Sequence, residues 1–154
     1  MNLDWSVVGS IATALAVLVA AWQVRRGTAQ TRVNFEDDLS REYRELARSI
    51  PVTAHLGEEL DPIHFESAFP RFYQYFDLTN EQIFHRMNGR ISRATWLNWR
   101  DGIQSNFGRP AFAQAWARVK KGSAPNFSEL RQLETGGFLE DPRAWMPIWR
   151  RLWR

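Results

Sequence analysis

The chain has 154 residues, with 20 basic and 17 acidic side chains and no cysteine. The lack of cysteine excludes disulfide bonds, thiolate catalysis and cysteine-based zinc or iron–sulfur sites. The formal charge of +3 is local, since residues 25–142 hold 16 basic and 16 acidic groups. We therefore predict no nucleic-acid partner.

The first element is an uncharged run over residues 5–24, with a tryptophan near each end and the pair Arg25-Arg26 directly behind it. At about 1.5 Å per residue this helix spans roughly 30 Å, the thickness of the hydrocarbon core of a bilayer. We predict a transmembrane anchor over residues 1–26. The alternative is a cleaved secretory signal, but residues 1–4 contain none of the lysine or arginine that such a signal begins with.

The residues that follow the anchor predict its orientation, and the small residues on one of its faces predict how it packs. Arg25, Arg26 and Arg32 follow it, so the positive-inside rule predicts a single-pass membrane protein with its N-terminus outside and its C-terminal domain cytoplasmic. Small residues on one face of a membrane helix let another helix come close. We expect a transmembrane helix partner or a second copy to pack there, with chance composition as the alternative. This small stripe consists of Gly9, Thr13, Ala16 and Ala20.

Residues 27–142 predict one small helical domain. Apolar residues recur every three or four positions over 31–50, Pro51 ends this helix, and Gly27 is expected to hinge it to the anchor. Phenylalanines follow at helical spacing from 65 to 76, with Pro70 in a first turn or at a kink. Thr79 and a glutamine three residues later have the spacing of a capping box, which predicts a separate short helix up to residue 87.

Three further helices are predicted from capping and stop signals. The capping box at Asn126 depends on the glutamate three residues after it. The aromatic stripes of the domain are interpreted as core, because a bundle buries one face of each helix. The fold class is therefore all-α, one N-terminal transmembrane helix followed by a small irregular cytoplasmic bundle. The expected starts and ends of the last three helices are Ser92 and Gly108, Pro110 and Gly122, and Asn126 and Gly136.

Catalytic motifs are sparse in this sequence. The three histidines lie in separate segments, and no two have the spacing of a helical metal site. Glu81 and His85 are one turn apart, which predicts a surface hydrogen bond. Two carboxylate pairs have no accompanying Glu-x-x-His motif of a di-iron bundle. We predict no catalytic residue, no metal site and no cofactor. The groups considered are His55, His64, His85, Glu42 with Glu45, and Glu58 with Glu59.

Residues 143–154 form a basic tail rich in tryptophan. Its tryptophans recur every four residues among four arginines, a composition that suits a membrane interface or a partner surface. The alternative is that these tryptophans fold back and complete the core. The residues of the predicted interface are Arg143, Trp145, Trp149, Arg150, Arg151, Trp153 and Arg154.

Taken together, the tryptophan-flanked span, the arginine-rich exit, the run Phe72-Tyr73-Gln74-Tyr75-Phe76-Asp77 and the segment from Trp96 to Phe112 resemble uncharacterised bacterial single-span, membrane-anchored helical proteins. The resemblance implies an anchored helical protein and no particular activity. We predict a non-catalytic interaction or assembly protein, an accessory subunit of a membrane complex, with lipid and a transmembrane helix as partners. The alternatives are a membrane-tethered enzyme or effector that uses scattered carboxylates and histidines, and an oligomerising, membrane-acting toxin-like component.

Overall fold

Helices dominate the computed structural model, which describes residues 5–122 and 125–149; the side chains of residues 5–12 and 14 lie outside that description. No strand occurs in these ranges, so the predicted all-α class is confirmed. A 3₁₀ turn spans Pro142–Trp145, and residues 148–149 are again helical. The α-helices are α1 (Trp5–Ser49), α2 (Val52–Leu56), α3 (Pro62–Met87), α4 (Arg93–Phe107), α5 (Pro110–Gly122) and α6 (Ser128–Thr135).

Helix α1 is continuous where two helices were predicted. It passes through Gly27 without a break, so the expected hinge there is wrong. A single glycine inside a helix costs only about 1 kcal/mol relative to alanine, which the residues around it offset. The helix ends at Ser49, before Pro51, as predicted. The chain divides into two compact units, residues 1–35 and 36–154.

Helix α3 also merges two predicted helices. It begins behind Asp61, whose carboxylate accepts two backbone N–H groups of the first turn at 3.1 Å. Thr79 lies inside the helix, where its hydroxyl donates to the carbonyl of Tyr75 at 2.7 Å. The helix start predicted at Thr79 is therefore wrong, because the hydroxyl bonds back one turn instead of capping. The helix ends before Gly89, whose φ of 74° suits glycine.

The core of the second unit lies where α3 packs against α5 and α6. The ring of Phe112 meets the rings of Phe72 and Tyr75 edge-on, with centroids 5.0 and 5.2 Å apart. Trp116 meets Phe76 at a tilt, with ring centroids 5.0 Å apart. Such tilted and edge-on contacts are the favoured geometry of aromatic pairs. All five side chains are buried, so these parts of the predicted stripes are core.

Long-range side chains fix the starts of α4 and α6. Ser92 caps α4 as predicted, and the Glu36 carboxylate accepts the Ser92 N–H at 2.5 Å from across the bundle. The capping box predicted at Asn126 is wrong, since no side chain caps α6 from its own N-terminus. Instead, the Asn80 amide oxygen of α3 accepts the N–H of Leu130 at 3.0 Å. Tertiary contact thus replaces a local cap.

Candidate functional site

The predicted anchor lies on the first part of α1. Thr13, Ala16 and Ala20 of the small stripe are exposed, whereas Gly9 lies among the residues whose side chains are outside the description. The guanidinium of Arg26 lies over the ring of Trp22, 4.7 Å from its centroid. Within the described part of the chain, no helix combines the length and apolarity needed to cross a membrane. The predicted span over residues 5–24 includes nine positions, 5–12 and 14, whose side chains lie outside the description, and the span stays a prediction.

The predicted tail begins with a segment that is docked on α3. Asp141 starts the 3₁₀ turn, Pro142 is fully buried, and the indole N–H of Trp145 donates to the Glu140 carboxylate at 2.7 Å. The guanidinium of Arg143 occupies the space in which a side chain at residue 89 would lie. This half of the tail is therefore held by the domain.

Beyond Met146 the surface becomes apolar and open. Ile148 is 70% exposed and Trp149 is 61% exposed. The remaining residues of the predicted interface, Arg150, Arg151, Trp153 and Arg154, lie outside the described residues. The structure thus distinguishes Trp145, whose indole bonds Glu140, from Trp149, whose side chain is mostly exposed.

A buried ion pair holds the 3₁₀ turn in place. The Arg86 side chain is 9% exposed and donates to both carboxylate oxygens of Asp141, at 2.8 and 2.5 Å, and to the carbonyl of Ile91 at 2.8 Å. Partial burial raises the pKa of Asp141, but the hydrogen bonds from Arg86 and from the Arg143 N–H outweigh burial, so that its pKa lies below the usual value. This pair was not predicted from the sequence, because its two residues lie 55 positions apart along the chain.

Some of the carboxylates considered for catalysis come together in one groove. An open groove of about 480 Å³ runs between α1 and α3. His85 lies next to it and meets Glu81 at 3.1 Å, but the histidine is only 6% exposed, so the predicted surface bond is a half-buried one. Glu58 and Glu59 lie elsewhere, exposed behind α2. The acidic side chains that line the groove are Glu42, Glu45, Asp77 and Glu81.

The other two histidines have local roles. His55 bonds the carbonyl of Ala47 at 3.0 Å, and His64 bonds Asp61. Among the described residues no group of three histidine, aspartate or glutamate side chains is placed to hold a metal ion. The groove therefore offers four acidic side chains, one of which, Glu81, bonds the buried His85 imidazole.

A second cavity contains residues that sequence reasoning missed as site candidates. It measures about 250 Å³ and lies between α1, α3 and α4. Gln82 was interpreted as part of a capping box and Trp99 as core, whereas both line this cavity. The available signal was a polar residue on the apolar face of α3, visible only once that helix is taken as continuous.

Comparison of the chain with protein-family models, with curated proteins and with solved structures finds no match.

Proposed function

We propose that this protein is a membrane-anchored, non-catalytic interaction or assembly protein that acts as an accessory subunit of a membrane complex. The exposed apolar surface of α1 is the observation that supports this most. Each Å² of apolar surface left in water costs about 25 cal/mol, so a continuous apolar helix surface calls for lipid or another chain against it. Side chains at least half exposed there are Leu15, Val17, Leu18, Val19, Trp22 and Val24.

The residues that follow this surface support the same proposal. Trp22 and Arg26 pair at its end, and tryptophan and arginine are the side chains favoured at headgroup depth. We place the helical domain on the cytoplasmic side. Because the chain has no cysteine, a single Ser105→Cys label on α4 reports the side directly. An impermeant maleimide should react only after the membrane is opened. Equal labelling of intact and opened cells would show that the domain lies outside.

Insertion is tested with two arginine substitutions on the same helix. Leu15→Arg should weaken membrane insertion by roughly 3 kcal/mol, whereas Ala29→Arg, beyond the arginine pair, should have no effect. The measurement is the fraction of full-length protein that stays in the membrane pellet after alkaline carbonate. Release of the unsubstituted chain by carbonate would contradict anchoring.

Helix pairing through the small stripe is a separate part of the proposal. Thr13, Ala16 and Ala20 leave room for a second helix backbone. In a membrane reporter of helix association, Ala16→Leu should weaken pairing, and Ala21→Leu, which lies off the stripe, should not. Equal signals from the two variants would mean that the stripe reflects composition alone.

A membrane-tethered enzyme is the second candidate. It is favoured by the groove that joins Glu42, Glu45 and Glu81, since Glu81 also bonds His85. Carboxylates near an imidazole are the groups of acid–base chemistry. Stoichiometric zinc, iron or manganese in the purified chain would favour this candidate over the first. Leakage of dye from liposomes on addition of the chain would instead favour a membrane-acting, toxin-like component.

A further inference from the structure

The cavity between α1, α3 and α4 has the composition of a binding site for a neutral molecule. All of its lining residues belong to the unit of residues 36–154. Among the described residues, none of the side chains that line it is charged. Its volume of about 250 Å³ lies just below the range of about 300–1,000 Å³ that is usual for small-molecule pockets. The lining residues are Tyr43, Gln82, Asn98, Trp99, Gly102 and Ile103.

Gln82 is the residue that points to an occupant. Its side chain is 3% exposed and makes no hydrogen bond to any described residue. Its amide atoms are not completely sealed from solvent, since they are absent from the set of buried side-chain atoms that lack a partner. Gln82 lines the cavity, so we infer that the accessible surface of its amide faces this space. The buried amide and hydroxyl side chains nearby bond within the protein: Thr79 bonds a carbonyl and the Asn106 amide bonds the Tyr75 hydroxyl at 2.9 Å. The buried indole N–H groups of Trp96 and Trp116, by contrast, have no partner among the described residues.

A buried amide without a partner destabilises the fold, and native proteins rarely keep one. The Gln82 amide has no partner in the described protein, so its partner is water or a molecule bound in the cavity. A carboxamide presents an acceptor and a donor side by side, and it pairs best with a molecule that presents the same two groups in complementary order.

We propose that this cavity binds a small, neutral, planar heterocycle of the nucleobase type, with an adjacent donor and acceptor that pair with the Gln82 amide. Tyr43 and Trp99 supply aromatic surface for the ring, and Ile103 supplies an apolar wall. Asn98 at the open side offers a second amide. The lining offers no cation for a phosphate, so we expect the free base rather than the nucleotide.

The test uses the full-length chain in detergent and four probes: adenine, cytosine, nicotinamide and toluene. Saturation-transfer NMR and titration calorimetry measure binding. At least one heterocycle should bind, whereas toluene, which has the ring but no donor or acceptor, should bind more weakly. Gln82→Leu keeps the side-chain size and removes the amide, so heterocycle affinity should fall roughly tenfold or more.

Two further variants make the test independent of folding defects. A Cβ atom added at Gly102 meets no atom within 4 Å, and Gly102 lines the cavity. Gly102→Leu therefore adds bulk at the cavity wall and should weaken binding of every probe. Gln104→Leu, exposed on the same helix, should leave binding unchanged. Circular dichroism and melting confirm that each variant folds.

If no heterocycle binds the unsubstituted chain, the cavity holds water alone and the proposal is wrong. Equal affinities in Gln82→Leu and Gln104→Leu would also overturn it. If Gln82→Leu does not fold, Gly102→Leu serves as the test instead. Heterocycle binding that persists in Gly102→Leu would mean that the molecule binds elsewhere, and the proposal would be wrong.

Discussion

Arg86 and Asp141 determine how the C-terminal turn is held. The guanidinium is 9% exposed, and the carboxylate that neutralises it is 32% exposed. Asp141→Asn leaves the arginine charge buried with a neutral partner, so we expect a loss of about 2–3 kcal/mol of unfolding free energy, below the 3–5 of a fully buried pair. Urea denaturation measures the loss.

A matched control is available on the surface. Glu66 and Arg118 form an ion pair at 2.6 Å in which both side chains are about half exposed. Glu66→Gln should cost less than 1 kcal/mol, because water screens an exposed pair. Equal losses in Glu66→Gln and Asp141→Asn would show that burial does not strengthen the Arg86 pair.

The lowered pKa of Asp141 gives the pair a defined dependence on pH. A carboxyl whose folded pKa lies below its unfolded value, about 3.9, stabilises the fold fully above that value and loses the contribution as pH falls through the folded pKa. The difference in unfolding free energy between the unsubstituted chain and Asp141→Asn should therefore be constant from pH 7 to about 5 and shrink below about 4. A difference that grows on acidification would contradict this sign.

At the scale of helices, the caps show what a sequence can and cannot reveal. Ser92 was recognised because a cap and its partner, the N–H of Thr95, lie three residues apart. The cap of α6 was missed because Asn80 lies 50 residues from Leu130, whose N–H it accepts. The helix start predicted at Thr79 was wrong because a threonine can cap a helix or bond back to a carbonyl one turn earlier. The local sequence is the same in both cases, so only the fold distinguishes them.

Asn80 also gives the prediction that belongs to this scale. Asn80→Ala removes the side chain that accepts the N–H of Leu130 and donates to Glu129, and it should lower the unfolding free energy by about 1–2 kcal/mol. Asn126→Ala, at the position that the sequence favours as the cap, should be nearly silent. Thermal melts of both variants measure this. A larger loss of unfolding free energy in Asn126→Ala than in Asn80→Ala would mean that Asn126 caps α6 locally.

At the scale of the molecule, the all-α class and most helix ends followed from periodicity and from proline and glycine, which act locally. The candidate site did not. The Glu81–His85 spacing predicted the pair, but the burial of His85 depends on packing that no spacing encodes. The cavity at Gln82 joins three helices, so its residues share no local pattern.

The tail supplies a prediction for the whole chain. Arginines near an anionic membrane contribute up to about 1 kcal/mol each, less as salt rises. A chain from Thr28 to residue 154 should therefore bind anionic vesicles, and ending it at Met146 should remove binding while melting stays within a few degrees, since Ile148 and Trp149 are exposed. A sharp fall in melting temperature without any vesicle binding would assign the tryptophans to the core.

The pair of Arg86 and Asp141 has a consequence for the lifetime of the folded domain. The two residues are 55 positions apart, and closing a loop of that length costs about 3.5 kcal/mol of chain entropy before the contact forms. We expect a contact with so high an entropic cost to form after the transition state for folding. Asp141→Asn should then speed unfolding much more than it slows refolding in stopped-flow experiments. The Arg86–Asp141 pair would thus slow unfolding and lengthen the lifetime of the folded domain, with little influence on the folding rate.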